Sequence, residues 1–334
     1  MTEPSDDEPG PHHSMDDSYR MDILMKVVSA DRSSGEIQYV IYPDPKRYEW
    51  REEKGERLLY DRFDQLVIPQ AVVMDMLARS QKIKPLAQPQ LLGNAFEYVA
   101  KRGPTIRQRL AGELASEALA DVASTVLEGH MQEKHAYVAL VVDLVGSTKL
   151  ARSIDTADMA RLVRVLSDEM SVLLQPFYGH VLKYTGDGLI AFFAAPNFIR
   201  MNDHALDCAV TLRRLVYYGL NPALEEWGYR PVEIRIGIEG GEGVAVALGS
   251  PDTKRSIDLV GDFINMAAKL QALAPPGGIY VGYVSERNLH VDWRQQLKRI
   301  SLPDGWEYRD AKGNPYAIFA APDLESDSQS KPPG

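Results

Sequence analysis

The run Val141-Val142-Asp143-Leu144-Val145-Gly146-Ser147-Thr148, taken with Lys183-Tyr184-Thr185-Gly186-Asp187-Gly188 further along, constrains this chain more than any other feature. In each place an apolar, β-branched stretch of the kind that forms a buried strand delivers an aspartate to its end, where glycine and small hydroxyl residues take over. Either aspartate alone is ordinary turn chemistry. Asp187-Gly188, between Val181-Leu182 and Leu189-Ile190-Ala191-Phe192-Phe193, is also a common hairpin signal. Together they aim two carboxylates at one spot. Hard divalent cations take oxygen ligands, and a two-metal site activates an attacking oxygen and clamps the phosphate of an in-line displacement. The pair points to nucleotide chemistry.

The 334 residues suffice for one medium catalytic domain and a second, smaller unit, at the usual scale of roughly 100–200 residues per domain. A formal charge of −10 argues against tight nonspecific binding to nucleic acid or anionic membrane, so a polyanionic substrate has to be met by local positive groups and metal. Cys208 is the single cysteine, which excludes a disulfide framework, and its setting in Ala205-Leu206-Asp207-Cys208-Ala209-Val210 predicts the buried face of a helix. The first twenty residues lack the apolar core of a signal peptide, and no window reaches eighteen consecutive apolar residues. A soluble, cytoplasmic protein with no membrane span is expected.

Residues 1–19 read as an acidic disordered tail in which His12-His13 are solvated. An N-terminal region over 20–133 begins with a hairpin of Met21–Val28 and Gly35–Tyr42. The charge-dense, aromatic segment Arg47–Arg62 reads as an exposed element, and Val67-Ile68-Pro69-Gln70 leads into a short helix. The region ends in a long helix from near Pro104 to about Glu133, with Ile106, Leu110, Leu114, Ala118, Val122, Val126 and Met131 on one stripe. That stripe suits either a core helix of the N-terminal domain or a helical dimer seam passing a signal onward.

From His135 the pattern alternates: strand 136–142, helix 155–175, hairpin 179–193, helix 203–218, strands 232–238 and 243–249, helix 262–274, strand 278–281, and closing strands near 297–301 and 316–320. The fold class is therefore α+β: a ferredoxin-like palm of antiparallel strands with helices on one face, preceded by a smaller mixed α/β or helical N-terminal domain. Residues 323–334 form a polar tail.

Four blocks in this order resemble the catalytic domain of the class III nucleotide cyclases, over roughly 134–322. They are the two aspartate runs, Arg235-Ile236-Gly237-Ile238-Glu239-Gly240-Gly241-Glu242-Gly243 as a strand and Gly-rich turn, and Ser256–Leu270 as the most specific block. The resemblance implies that Asp143 and Asp187, with the Leu144 carbonyl, hold two Mg²⁺ or Mn²⁺ per active site. It implies that the backbone amides of Val145, Gly146, Ser147 and Thr148 cradle the terminal phosphates. Asn265 would orient the ribose, and Lys269, one turn on and on the same helix face, stands where the family usually has a transition-state arginine. Lysine keeps the charge and loses the bidentate fork. No phosphate lysine is assigned, Lys298 and Lys312 being candidates. Lys183 and Asp258 match the base-reading positions, a pairing associated with adenine.

The resemblance further implies a homodimer whose two sites lie at the interface, each built from both chains. The reaction would convert a nucleoside triphosphate to a 3′,5′-cyclic nucleotide second messenger and pyrophosphate, with ATP ahead of other bases. A second reading resembles the pyrimidine cyclases of anti-phage defence, making cyclic UMP or CMP for a separate effector protein. A third is a cyclase-like module that binds nucleotide without turning it over, suggested by Lys269 in the arginine position.

Overall fold

In the computed structural model, residues 20–30, 37–80, 95–115, 122–194, 198–249 and 256–324 are described. His12, His13, Ala118 and the two tails beyond this range lie outside the described residues. The chain divides into two compact units, Met1–Leu77 and Ala78–Gly334.

The first unit opens with the expected hairpin, β1 (Ile23–Ala30) antiparallel to β2 (Ile37–Pro43). Strands β3 (Tyr48–Glu53), β4 (Glu56–Asp61) and β5 (Val67–Pro69) form a three-stranded sheet that feeds α1 (Gln70–Ser80). Tyr48, Leu59, Ile68, Val73 and Leu77 make its core. The segment Arg47–Arg62, expected to be exposed, holds two fully buried charged residues, Arg47 and Asp61. The Arg47 guanidinium pairs with Asp61 at 2.8 Å, Asp64 at 2.9 Å and Asp22 at 3.1 Å. A cation this deep is tolerated because its fork is filled by carboxylates.

The long helix expected from Pro104 to Glu133 is instead two helices, α2 (Ala95–Ala111) and α3 (Val122–Glu128). Pro104 lies inside α2, and Leu114 beyond it is exposed. The apolar face of α2, Val99, Ile106 and Leu110, joins the main core of the second unit. Arg102 and Arg109 of α2 grip the buried Glu169 at 2.8 Å and 2.7 Å. This face of α2 is therefore covered within its own unit, by the helices Thr156–Leu174 and Phe198–Arg214 and the sheet core.

The second unit is built on β6 (Lys134–Leu144), followed by α4 (Ser147–Ala151) and α5 (Thr156–Leu174). Asp155 caps α5 by accepting from the Ala157 N–H. Next come the hairpin β7 (Gly179–Tyr184) and β8 (Leu189–Phe193), then α6 (Phe198–Arg214), a π-turn over Leu215–Leu220, and α7 (Asn221–Glu226). Strand β9 (Ile234–Leu248) turns back as β10 (Ser256–Val260) into α8 (Asp262–Leu273) and β11 (Ile279–Gly282). Short helices α9 (Tyr283–Asn288) and α10 (Val291–Arg294) precede β12 (Lys298–Arg299) and β13 (Ile318–Ala320). Cys208 is buried on α6, as expected.

The sheet runs β12-β13-β11-β9-β6-β8-β7, with β10 paired to the far end of β9. Two expectations are corrected here. Helices cover both faces rather than one: α2, α5 and α6 share a core with Val138, Leu140 and Val142, while α3 and α8 pack with Tyr137, Ala139 and Val141 on the other face. Nor is the sheet wholly antiparallel, since β11 runs parallel to β9.

The Gly-rich block is likewise no turn but the middle of one continuous strand. Its glycines let α8 lie directly on β9. A Cβ on Gly237 would fall 2.0 Å from the Ala267 carbonyl oxygen, and one on Gly241 2.8 Å from the Phe263 Cβ. No helix among the described residues is long and apolar enough to cross a membrane.

Candidate active site

Asp143 sits one residue from the end of β6, opposite Arg235 of β9. Asp187 lies in the turn between β7 and β8, closed by the Thr185 N–H donating to the Gly188 carbonyl. What presses this turn against β6 is Gly188. A Cβ there would lie 2.2 Å from the Val142 carbonyl oxygen and 3.1 Å from the Asp143 Cα, so only a bare backbone fits.

Asp143 is half-buried, and burial together with the charge of Asp187 pushes its carboxyl above the usual range. The Leu144 amide and the Arg235 guanidinium pull it partly back. One oxygen of Asp187, Oδ2, is buried with no hydrogen-bond partner. Two facing carboxylates, one with an orphaned buried oxygen, are what a hard cation would satisfy. The set holds no nitrogen or sulfur donor, and no group of three or more His, Cys, Asp or Glu suited to a metal occurs among the described residues. The donors therefore fit Mg²⁺ or Mn²⁺ completed by substrate oxygens.

Arg235 was not singled out by sequence reasoning, because it reads as one more residue of a strand. Directly cross-strand residues share a face, so it brings a cation beside Asp143, and its Nε is buried with no hydrogen-bond partner. The only signal in the sequence is its spacing to the glycines that follow.

Gly146 adopts φ +70° before α4, and its carbonyl accepts from Lys149 and Leu150. Of the four expected phosphate-cradle amides, that of Val145 is already committed to the Glu233 carbonyl at 2.8 Å. The first-turn amides of Ser147 and Thr148 have no acceptor within their own helix, as at any helix start.

Lys183 and Asp258 are brought together: Nζ and Oδ2 are 2.7 Å apart, joining β7 to β10. Asn265 and Lys269 are exposed on α8, and Lys269 stacks its ammonium 5.0 Å from the Tyr308 ring centre rather than on a carboxylate. Residues of α8 before Ala267 lie over β9 progressively further from Arg235, which carries Asn265 away from Asp143 within one chain. Lys298, on β12, is separated from β6 by three strands, and Lys312 lies in the loop before β13.

The structure thus gathers the carboxylates of Asp143, near the end of β6, and Asp187, in the β7–β8 turn, beside Arg235, with the Lys183–Asp258 pair joining β7 to β10. The sequence profile of the adenylate and guanylate cyclase catalytic domain matches residues 130–302, just over half of the chain. The chain belongs to that family. It is 27% identical over 157 residues to a cytidylate cyclase of Escherichia coli, covering 43% of this chain and 33% of that protein. It is 30% identical over 146 residues to an uncharacterized protein of Mycobacterium tuberculosis, covering 43% of this chain and 25% of that protein. The chain thus spans about a third or less of the length of these relatives. Among solved structures, the guanylyl cyclase Cya2 superposes with a TM-score of 0.50 at 20% identity, over 57% of this chain and 92% of that one, a likeness of fold.

Proposed function

We propose that this chain is an active, homodimeric nucleotide cyclase that closes the ribose 3′ oxygen of ATP onto its own α-phosphate and releases pyrophosphate. The observation that carries the reading is the juxtaposition of Asp143 with Asp187, whose buried Oδ2 lacks a partner. When bound there, Mg²⁺ or Mn²⁺ would lower the charge on the phosphates and favour ionisation of the attacking hydroxyl. The protein's own part is largely position and charge, because in phosphoryl chemistry little else is needed. Asp143, the Leu144 carbonyl and Asp187 hold the metal-binding edge. Arg235 offsets their charge, and the amides of Gly146, Ser147 and Thr148 receive the terminal phosphates.

Asn265 and Lys269 serve the partner's aspartates. Both are exposed on α8 in the single chain, which supports a twofold arrangement in which each site takes its metal edge from one copy and its ribose and transition-state groups from the other. Mixing Asp143→Ala with Asn265→Ala protein under subunit exchange should restore about a quarter of wild-type activity, because half the dimers then hold one intact site of two. No recovery would contradict the shared site.

ATP is the proposed substrate because the Asp258 carboxylate can accept from an exocyclic amine while Lys183 donates to a ring nitrogen. CTP is the second reading, favoured by the likeness to the Escherichia coli protein named cytidylate cyclase. Cytosine shows the same amine-and-acceptor edge on a smaller ring. In that case the product would suit a phage-triggered signal acting on a separate effector. Product identification by mass decides between them.

A further inference from the structure

The strand that carries Lys183 does not alternate regularly. Along β7, His180 pairs with Phe192 and Val181 with Ala191, but the next partner of Ile190 is Lys183, with Leu182 left over as a bulge. The faces follow from the partners. Phe192 and Ile190 belong to the face covered by α3 and α8, and Ala191 and Leu189 to the face covered by α5. Leu182 packs on the first of these, so strict alternation would send Lys183 to the α5 side, opposite Leu189. The extra residue is what keeps Lys183 opposite Ile190, from where its Nζ reaches Asp258 Oδ2 at 2.7 Å.

A bulge has a competitor, the regular register one residue over, and something must select between them. Tyr184 does this. It pairs with Leu189 and so lies on the α5 face, where its hydroxyl is 2.8 Å from the Ser171 Oγ. The Ser171 hydroxyl has one proton, donated to the Ser167 carbonyl at 2.7 Å, so the Tyr184 O–H is the donor in the Tyr184–Ser171 bond. In the regular register Tyr184 would turn to the Ile190 face instead, out of reach of α5. The bond is therefore available only in the bulged register, although the ring itself is 56% exposed and contributes little burial.

We propose that the Tyr184–Ser171 hydrogen bond holds β7 in the bulged register that presents Lys183 to the base, making Tyr184 and Ser171 positioning residues for substrate selection. This rests on the proposed cyclase reading. It predicts that the pair acts on base discrimination and substrate affinity rather than on the chemical step, since the turn bearing Asp187 is fixed separately by Gly188 against Val142.

The test is kcat and KM for the best and second-best of ATP, GTP, CTP and UTP in Mn²⁺, for wild type, Tyr184→Phe, Ser171→Ala and the double variant. Discrimination should fall on the order of tenfold in each single variant, the scale one hydrogen bond supports, through KM with kcat held within about twofold. The double variant should fall no further. Deleting Leu182 removes the bulge while leaving Lys183 opposite Ile190, so in that background Tyr184→Phe should change nothing. Unaltered discrimination in Tyr184→Phe, additive losses in the double variant, or a Tyr184→Phe loss that persists after Leu182 is deleted would each overturn the proposal. A wild-type protein that makes no cyclic nucleotide would instead overturn the cyclase reading beneath it.

Discussion

Lys183 of β7 and Asp258 of β10, 75 residues apart in sequence, close on each other as an ion pair with 2.7 Å between Nζ and Oδ2. Lys183 keeps 46% of its side chain exposed, so the pair adds at most about 1 kcal/mol to stability. Under the proposed function its consequence is for recognition: a base edge would enter between the two groups and replace their bond. Lys183→Ala and Asp258→Ala should each narrow discrimination among the four nucleotides by about 10²-fold, since a site built on polar complementarity rejects wrong edges strongly. The thermal midpoint should barely move. Exchanging the two residues should restore the ion pair and not the selectivity, read by initial rates on each nucleotide.

Gly188→Ala should be among the most damaging single changes in the catalytic unit. The added Cβ meets the backbone of Val142 and Asp143 rather than a flexible side chain, so the turn carrying Asp187 must move. A loss of about 1–3 kcal/mol in denaturant unfolding, with loss of Mn²⁺-dependent turnover, is expected.

Lys269→Ala should lower kcat by about 10²-fold with KM little changed, the pattern of a group used only as charge develops. Lys269→Arg should raise kcat above wild type, because the guanidinium offers the fork that an ammonium lacks. Steady-state kinetics on both variants checks this.

Glu239, buried in the middle of β9, is pushed up to about 7 by burial, although the Tyr316 hydroxyl and the amides of Ser285 and Gly240 donate to it. The fold binds its proton more tightly than the unfolded chain, where the ordinary value is 4.5. Its contribution to stability is therefore complete below pH 4.5 and is lost as pH rises through about 7. The thermal midpoint should decline across the window set by those two values, from 4.5 to about 7. In Glu239→Gln that decline should flatten.

Arg47→Met removes the buried cation shared by Asp61, Asp64 and Asp22, with Arg20 still paired to Asp22 at 2.6 Å, and should cost about 3–5 kcal/mol. Because the first unit has its own core, calorimetry should show one transition moving down and the other staying.

The parts of this fold that local chemistry decides could be read from the sequence. β-branched runs ending in aspartate became β6 and the β7–β8 hairpin, and Asp155 opened α5 as a helix cap. What misled were residues whose role is set across the fold. Gly237, Gly240, Gly241 and Gly243 look like a turn because glycine permits one. Here Gly237 and Gly241 make room for α8 above an unbroken strand. Pro104 looks like a helix start, yet α2 runs through it, held by Ile106, Leu110 and the two arginines on Glu169. The charges around Arg47 looked solvated because their partners lie 14 to 25 residues away. At the candidate site, the blocks point to Asp143 with Asp187 and to Lys183 with Asp258, and the structure places the members of each pair beside one another. Arg235 and the Leu182 bulge were not legible, since cross-strand register is invisible in one strand's own sequence.

The most direct measurement is incubation of the purified full chain with each of ATP, GTP, CTP and UTP in Mn²⁺, with the nucleotide product identified by mass and pyrophosphate quantified alongside. The account predicts a 3′,5′-cyclic nucleotide and an equal amount of pyrophosphate, cyclic AMP foremost, and neither product from Asp143→Ala or Asp187→Ala. Folded wild-type protein that binds nucleotide with Mn²⁺ yet yields no cyclic product and no pyrophosphate from any of the four would contradict it.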